Sequence, residues 1–592
     1  MKRHCSKALA TLICFVALAT PLCDSSIAAK AVPIDARSAD VTKWAEQLRQ
    51  AGASDEELTR FKERVGSLPP AALADWETFL RTAAPDFFDT YLISNRRDQG
   101  EPTPKTVFAN AVPVMPCAAL RQLSIPDTTV DSAVQSAADS SCRVTATVIH
   151  PPAHNPIKVF VALPTGAWNG RFRGTGGGGY AGGNIGSLDL PLSKGYAVAA
   201  TDTGNSPGSA NFALNSQGNQ DWPRLRANAY QGIHDMTAIG KAMVRSYYGR
   251  AARYSYFVGG STGGRQALTE AQRYPQDYDG ILALYPAIAR DRYVPAQLWP
   301  QVLMHEENDF LPRDKLDAAT AAAVKACDAA DGVADGVIDD PMRCEYDPAS
   351  LVGTKIGDGR FTAQDARIIR GIWEGPKAHD GGFLWWGPTR GTDLSNFAGT
   401  GGTPLMGRPN EEGLNWFRYF LVLDPKWDWL TLTRADFELL FEQSMEVHAS
   451  TYGGDDPDLT GFQQRGGRLL IVHGLADQYV PPQESIAYYE NVQARMRGAQ
   501  RTSQFVRLFL VPGGNHGFGS AVPTPSPSEM IGALLRWVES GDAPMKLIAD
   551  LPRTRFRPPR TRPLFPYPQV ARYVGKGNSD EAVNFAAVTP AP

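Results

Sequence analysis

Gly259-Gly-Ser261-Thr-Gly263 follows the apolar run Tyr254-Ser-Tyr-Phe-Val258 and precedes a helix-like stretch opening at Gly264-Arg265. A serine held in a tight turn between a strand and a helix exposes its hydroxyl. The N–H of the next residue then faces any anion formed there, which is the context of a nucleophile elbow. Flanking glycines remove the Cβ atoms that would clash in such a turn. A second G-x-S-x-G, Gly204-Asn-Ser206-Pro-Gly208, offers different physics. Pro207 has no N–H to donate, and no helix-forming run follows, so Ser206 reads as a loop serine.

A serine nucleophile needs a base, and the base needs an orienting carboxylate. In a doubly wound hydrolase the order is Ser, then Asp or Glu, then His, each on a loop after a strand. Two apolar runs downstream of Ser261 end suitably. Leu469-Leu-Ile-Val-His473 leads into Gly-Leu-Ala-Asp477, and Phe505-Val-Arg-Leu-Phe-Leu-Val511 leads into Pro-Gly-Gly-Asn-His516-Gly517. Both place a polar residue at the carboxyl end of a buried strand, where open α/β sheets build their sites. Of nine histidines, only His516 combines this position with the right order. Alone it would read as a turn histidine beside glycines; with Ser261 and Asp477 in order, a catalytic set is the better reading. His473 reads as a packing or supporting residue.

An oxyanion needs a second donor from a loop after an earlier strand. Phe172-Arg-Gly-Thr-Gly176-Gly-Gly-Gly179-Tyr fits, because successive glycines let backbone N–H groups approach an anion. A phosphate cradle is the competing chemistry for such a loop. The run lacks the Lys-Ser/Thr of a P-loop and the G-x-x-G spacing followed by an acid, and a flexible surface loop is the bland alternative.

With these residues in view, the chain resembles the tannase and feruloyl esterase family, which includes the mono(hydroxyethyl) terephthalate hydrolases. The resemblance runs from about Cys117 to about Phe585. It rests on Trp168-Asn-Gly-Arg-Phe with its glycine loop, Tyr256-Phe-Val-Gly-Gly-Ser261-Thr-Gly-Gly-Arg, Tyr278-Asp-Gly-Ile, Cys327-Asp-Ala-Ala-Asp-Gly-Val-Ala-Asp-Gly, His473-Gly-Leu-Ala-Asp477, Val511-Pro-Gly-Gly-Asn-His516 and Arg562-Pro-Leu-Phe-Pro-Tyr-Pro. It implies Ser261 as nucleophile, His516 as base, Asp477 as orienting acid, and the N–H groups of Gly176 and Thr262 as oxyanion hole. Family members usually carry a cysteine before the serine and another after the histidine, bonded beneath the site. Gly260 and Gly517 stand there, and Phe565 and Ala587 stand where another cysteine pair is usual.

Lys2-Arg3, an apolar stretch around Ala8 to Leu22 and small residues at Ser26, Ala28 and Ala29 read as a secretory signal peptide over 1–29. The stretch is too short for a comfortable membrane span, and the expected location is secreted or periplasmic. Removing it takes three of the seven cysteines and leaves Cys117, Cys142, Cys327 and Cys344. That even number suits an oxidising compartment. Proximity suggests Cys117–Cys142 and Cys327–Cys344, while sequence alone allows three pairings. Between the last two lies Asp328-Ala-Ala-Asp331-Gly-Val-Ala-Asp335-Gly-Val-Ile-Asp339-Asp340. On spacing alone this is a run of Asp-Gly turns. The resemblance implies a structural calcium ion (Ca2+) held by carboxylates of Asp328, Asp331 and Asp335 and carbonyls of Val333 and Val337.

These residues demand an α/β fold: an α/β-hydrolase sheet with a large inserted lid and a small N-terminal helical extension. Residues 33–105 form the extension and a polar linker, since Trp44, Leu48, Ala51, Leu58, Phe61 and Val65 recur at helical spacing and Ser54-Asp-Glu-Glu57 makes a capping box. The catalytic domain covers 106–286 and 463–592, and the lid 287–462. Trp385, Trp386, Trp416, Phe417, Tyr419, Trp427, Trp429 and Phe437 crowd the lid, and any one of them is more often core than substrate wall. With 59 basic against 62 acidic residues, no cationic surface for nucleic acid is expected. The resemblance implies a small-molecule partner, an aromatic-acid ester such as a gallate, ferulate or terephthalate. Val480, just after Asp477, is similar to the aliphatic position of the phenolic-ester members, where the terephthalate hydrolase carries phenylalanine. A peptidase or lipase on the same fold, and a non-catalytic binding protein on a hydrolase scaffold, are the other readings. Loss of any one of Ser261, Asp477 or His516 would have favoured the last.

Overall fold

The computed structural model describes residues 38–66, 100–109, 111–205, 209–519, 522–554 and 557–590. The expected signal peptide and the loop serine Ser206 lie outside the described residues. Nine strands form one sheet: β1 (Thr128–Ser136), β2 (Ser141–Val148), β3 (Ile157–Pro164), β4 (Arg171–Thr175), β5 (Ala197–Thr201), β6 (Tyr254–Gly260), β7 (Gly280–Leu284), β8 (Arg468–Gly474) and β9 (Val506–Val511). Their spatial order is β1-β2-β3-β5-β4-β6-β7-β8-β9. The β1, β2, β3 and β5 neighbours pair antiparallel, and every pairing from β5 through β9 is parallel.

Burial explains this division. Every residue of β5 is buried, and so are six of the seven in β8. A strand covered on both faces reads as a continuous apolar run and suits a parallel sheet with helices on each side. The edge strand β1, Thr-Thr-Val-Asp-Ser-Ala-Val-Gln-Ser, buries only Val130 and Ala133. Helices Gly232–Tyr248, Thr262–Arg273, Pro482–Arg495 and Pro527–Ser540 cover the parallel part. The first of these ends where Gly249 turns left-handed, at φ 66°. This is an α/β-hydrolase fold.

The chain from 285 to 467 adds no strand to the sheet. Its helices include Arg290–Ala296, Arg313–Cys327, Ala363–Glu374 and Arg434–Tyr452. Met304, Leu316, Phe361, Ile369 and Trp373 give it a small core of its own. Trp416, Phe417, Phe420, Phe437 and Tyr452 instead join the core of the sheet. Phe420 stacks on Tyr180, in the loop after β4, at 5.8 Å, so the inserted segment is joined to the catalytic layer by aromatic burial.

Two disulfides are present, Cys117–Cys142 and Cys327–Cys344, with Cα separations of 5.5 and 5.7 Å. In the N-terminal piece, helices Ser38–Gln50 and Asp55–Gly66 bury Trp44, Leu48, Leu58, Phe61 and Val65. Ser54 and Glu57 exchange hydrogen bonds of 2.8 and 3.3 Å, a reciprocal cap. Among the described residues, no helix is long and apolar enough to cross a membrane.

Candidate active site

Four loops at the carboxyl edge of the sheet meet at one point. Ser261 follows β6 with φ 59° and ψ −123°, a conformation that costs free energy and survives only where the surroundings enforce it. Two hydrogen bonds help to do so: Ser261 N donates to Leu284 O, and Ala287 N donates to Ser261 O, both at 3.0 Å. Helix Thr262–Arg273 begins immediately, and a Cβ on Gly259 would lie 2.4 Å from Gly263 O. Only glycine lets strand and helix approach this closely.

The Ser261 hydroxyl lies 2.9 Å from His516 Nε2, and His516 Nδ1 lies 2.7 Å from Asp477 Oδ2. His516 comes from the loop after β9 and Asp477 from the loop after β8. The other Asp477 oxygen accepts N–H bonds from Tyr479 and Val480, both at 2.9 Å. The carboxylate is therefore fixed in orientation while one oxygen faces the imidazole. Burial alone would raise the Asp477 carboxyl. The charge of His516, with hydrogen bonds from His473 and His516, instead holds it well below the usual carboxylate range. Burial pulls the His516 imidazolium down, but the Asp477 charge and hydrogen bond outweigh it, and the net shift is upward. The arrangement can take a proton from Ser261 and stabilise the resulting imidazolium.

The glycine loop after β4 presses against the start of the serine helix. A Cβ on Gly176 would fall 2.5 Å from Gly263 Cα. Gly263 N donates to Gly177 O at 2.9 Å, and Gly177 N to Gln266 Oε1 at 3.0 Å. Thr262 N–H opens the helix and so has no acceptor within it. Gly176 thus packs against the first turn of the helix that Thr262 opens, directly after Ser261.

His473 is the packing and supporting residue its place before Asp477 suggested, while the other supporting residues gave no sequence signal. His473, fully buried, places Nδ1 2.8 Å from Ser485 Oγ and Nε2 3.1 Å from Val480 O, bracing the Asp477 turn. His516 N donates to Gln478 Oε1 at 3.1 Å. Two tyrosines present edges to the His516 ring: Tyr285 at 4.9 Å and Tyr479 at 5.5 Å, the latter bonded to Asn396 of the inserted segment. Beside Thr262 the buried Arg290 pairs with the half-buried Glu412 at 2.6 Å. Of the eight lid aromatics singled out in the sequence, Trp385, Trp416, Phe417, Trp429 and Phe437 are buried packing residues. Trp386, Tyr419 and Trp427 are half-buried.

The Asp328–Asp340 loop packs against the start of the loop that carries His516, where a Cβ on Gly513 would lie 3.0 Å from Val337 Cγ1. Asp328 accepts N–H bonds from Asp335 and Gly336, each at 2.9 Å, and Asp331 accepts one from Val333 at 2.9 Å. Asp335 also meets Arg560 and Arg562. Asp335, Val337 and Asp339 line one small cavity. Burial, with the charges of Asp331 and Asp335, pushes the Asp339 carboxyl well above its ordinary value. Crowded carboxylates and nearby carbonyls are an all-oxygen donor set that fits a hard cation. Asp339 is a further carboxylate of this cluster, beside Asp331 and Asp335, outside the ligand set that the resemblance implied. A different group, His234, Glu270 and Asp277, brings one ligand atom each within 4.8 Å and could also hold a metal. It sits at the far end of the serine helix, where Lys241 donates to Asp277 O.

The family model for tannase and feruloyl esterase matches residues 142–406 and 413–588. A probable feruloyl esterase of Arthroderma benhamiae is 39% identical over 479 residues, covering 78% of this chain and 86% of that protein. The mono(2-hydroxyethyl) terephthalate hydrolase of Piscinibacter sakaiensis is 30% identical over 514 residues, covering 73% and 82%. Among solved structures, the tannin acyl hydrolase from Aspergillus niger superposes with a TM-score of 0.70 at 23% identity, over 83% of this chain and 94% of that one. Feruloyl esterase B from Aspergillus oryzae gives 0.68 at 23% identity, over 80% and 99%. At that identity the two structures speak for the fold.

Proposed function

The chain belongs to the tannase and feruloyl esterase family and is a carboxylic ester hydrolase, and we propose that it is an exported serine esterase of aromatic-acid esters, acting through an acyl-enzyme on Ser261. The observation that carries this reading is the Ser261–His516–Asp477 relay at 2.9 and 2.7 Å behind a strained elbow.

Ser261 Oγ attacks the ester carbonyl carbon while its proton passes to His516 Nε2. Asp477 stabilises the imidazolium and fixes its tautomer. The carbonyl oxygen, now an oxyanion, takes hydrogen bonds from Gly176 and Thr262 N–H. Collapse expels the alcohol, which leaves with the proton from His516. A water then repeats the sequence on the acyl-enzyme and releases the acid. The intact relay also speaks against a binding protein on a hydrolase scaffold.

The acyl group is a planar aromatic acid, and a hydroxylated ring such as gallate or ferulate ranks above terephthalate. The names of the relatives support an aromatic acid, and the aliphatic Val480 supports the ranking. The Asp328, Asp331 and Asp335 carboxylates and the Val333 and Val337 carbonyls hold calcium, whose bound charge relieves their mutual repulsion. The two disulfides and the expected signal peptide support export. Comparing kcat/KM for methyl gallate, methyl ferulate, mono(2-hydroxyethyl) terephthalate and p-nitrophenyl octanoate tests the reading. The two phenolic esters should lead. Preference for the octanoate would refute the aromatic acyl group, and preference for the terephthalate would refute the ranking.

A further inference from the structure

A closed circuit of polar contacts links the inserted segment to both halves of the oxyanion site. Glu412, from helix Glu411–Trp416 of that segment, pairs with Arg290 at 2.6 Å. Arg290 Nη1 donates to Thr262 Oγ1 at 3.2 Å. Thr262 Oγ1 donates to Gly179 O at 2.7 Å, in the glycine loop that begins at Gly176. The next residue, Tyr180, donates its hydroxyl to Glu412 O at 2.8 Å and closes the ring. The Tyr180 ring also lies 4.6 Å beneath the Arg290 guanidinium.

Arg290 is 1% exposed, and Arg265, equally buried, repels it from nearby. The Glu412 charge acts on both arginines. A buried guanidinium left without its carboxylate is strongly unfavourable. Seating the inserted segment and shaping the oxyanion loop are therefore energetically one event.

We infer that the Arg290–Glu412 pair is a strut through which the inserted segment sets the positions of Thr262 and the glycine loop. Both are positioning residues that act through the oxyanion donors and touch no reacting atom. The inference rests on the esterase reading above. Misplacing a catalytic donor by about 1 Å from a remote change can cost about 100-fold in rate.

The test uses the full chain with p-nitrophenyl acetate, whose small acyl group makes little contact beyond the reacting centre. Glu412→Gln should lower kcat about 10- to 100-fold, with KM changed less than about threefold. Arg290→Lys, which keeps the charge and one contact, should retain more kcat than Arg290→Met. The acid limb of kcat/KM should move to lower pH in Glu412→Gln. The charged groups acting on His516 are Asp477 and Glu412, and the Tyr285 and Tyr479 rings flank it, so losing the Glu412 charge eases deprotonation. If Glu412→Gln does not fold, the Lys and Met pair at Arg290 carries the test alone. Wild-type turnover with variants of equal kcat and an unmoved acid limb would overturn the strut alone. A folded wild type without ester turnover would overturn the esterase reading and the strut with it.

Discussion

Gly260→Ala should cost both stability and rate although it adds one methyl group. Its Cβ would sit 2.5 Å from Tyr285 Oη, 2.6 Å from Cζ and 2.7 Å from Cε2. Ordinary carbon contacts begin near 3.5 Å, so the Tyr285 ring has to retreat by about 1 Å. That ring has little room, because it packs against His516 at 4.9 Å and Phe518 at 5.0 Å. Overpacking of this kind costs about 1–3 kcal/mol. The displaced ring also pushes on His516, whose 2.9 Å contact to Ser261 then lengthens, and kcat should fall about 10- to 100-fold. Tyr285→Ala opens the space, so the pair forms a double-mutant cycle in which the clash exists only when both the methyl and the ring are present. The melting temperature and kcat of Gly260→Ala/Tyr285→Ala should exceed what adding the single effects gives, by at least about 1 kcal/mol of coupling. Additivity within about 0.5 kcal/mol, or a silent Gly260→Ala, would refute the argument. The same ring explains why a cysteine at position 260 does not suit this chain. At position 517 the backbone φ of 84° favours glycine in any case.

Asp477→Asn should lower kcat about 10³- to 10⁴-fold and move the acid limb of kcat/KM to lower pH, since the carboxylate holds the His516 pKa up. The Asp477 pKa is depressed by folding, so the stability it lends is present above about pH 4 and is lost as pH falls below that; acid titration of the melting temperature, wild type against Asp477→Asn, measures it. Thorough chelation should lower the melting temperature, because Asp331, Asp335 and Asp339 are left facing one another, while turnover of a small ester falls only as the inserted segment loosens. Unchanged melting with no ion found by metal analysis would mean that the loop is a set of Asp-Gly turns. Replacing Cys327 and Cys344 with serine opens a loop of 17 residues and should cost about 3 kcal/mol, read from denaturant midpoints.

The relay was legible because its signals are local. Ser261, Asp477 and His516 each follow an apolar strand by a few residues, and the glycines mark the turns. Chain order then supplied the pairing. The strands that carry the relay were legible for the same reason, since β6, β8 and β9 are short, largely apolar runs. The strut was not. Arg290 sits in Ala-Arg-Asp-Arg-Tyr, which reads as a solvated helix start, and Tyr180 meets Glu412 across 232 residues. No spacing rule reports a contact between a loop and an insertion so far away. Tyr285 was hidden likewise, because its meaning depends on the absence of a side chain at Gly260. Lid aromatics could be counted in the sequence, but which of them face a pocket depends on a packing layer that periodicity does not describe. His473 fell between: its place before Asp477 suggested support, and only the fold supplied Ser485 as its partner.

The most direct measurement of the central claim is covalent. The folded chain is treated with a fluorophosphonate, digested, and the modified residue is mapped by mass spectrometry, beside Ser261→Ala and Ser206→Ala. The account predicts one adduct on Ser261, lost together with ester turnover in Ser261→Ala and unchanged in Ser206→Ala. An adduct on Ser206, or ester turnover that survives in Ser261→Ala, would contradict it.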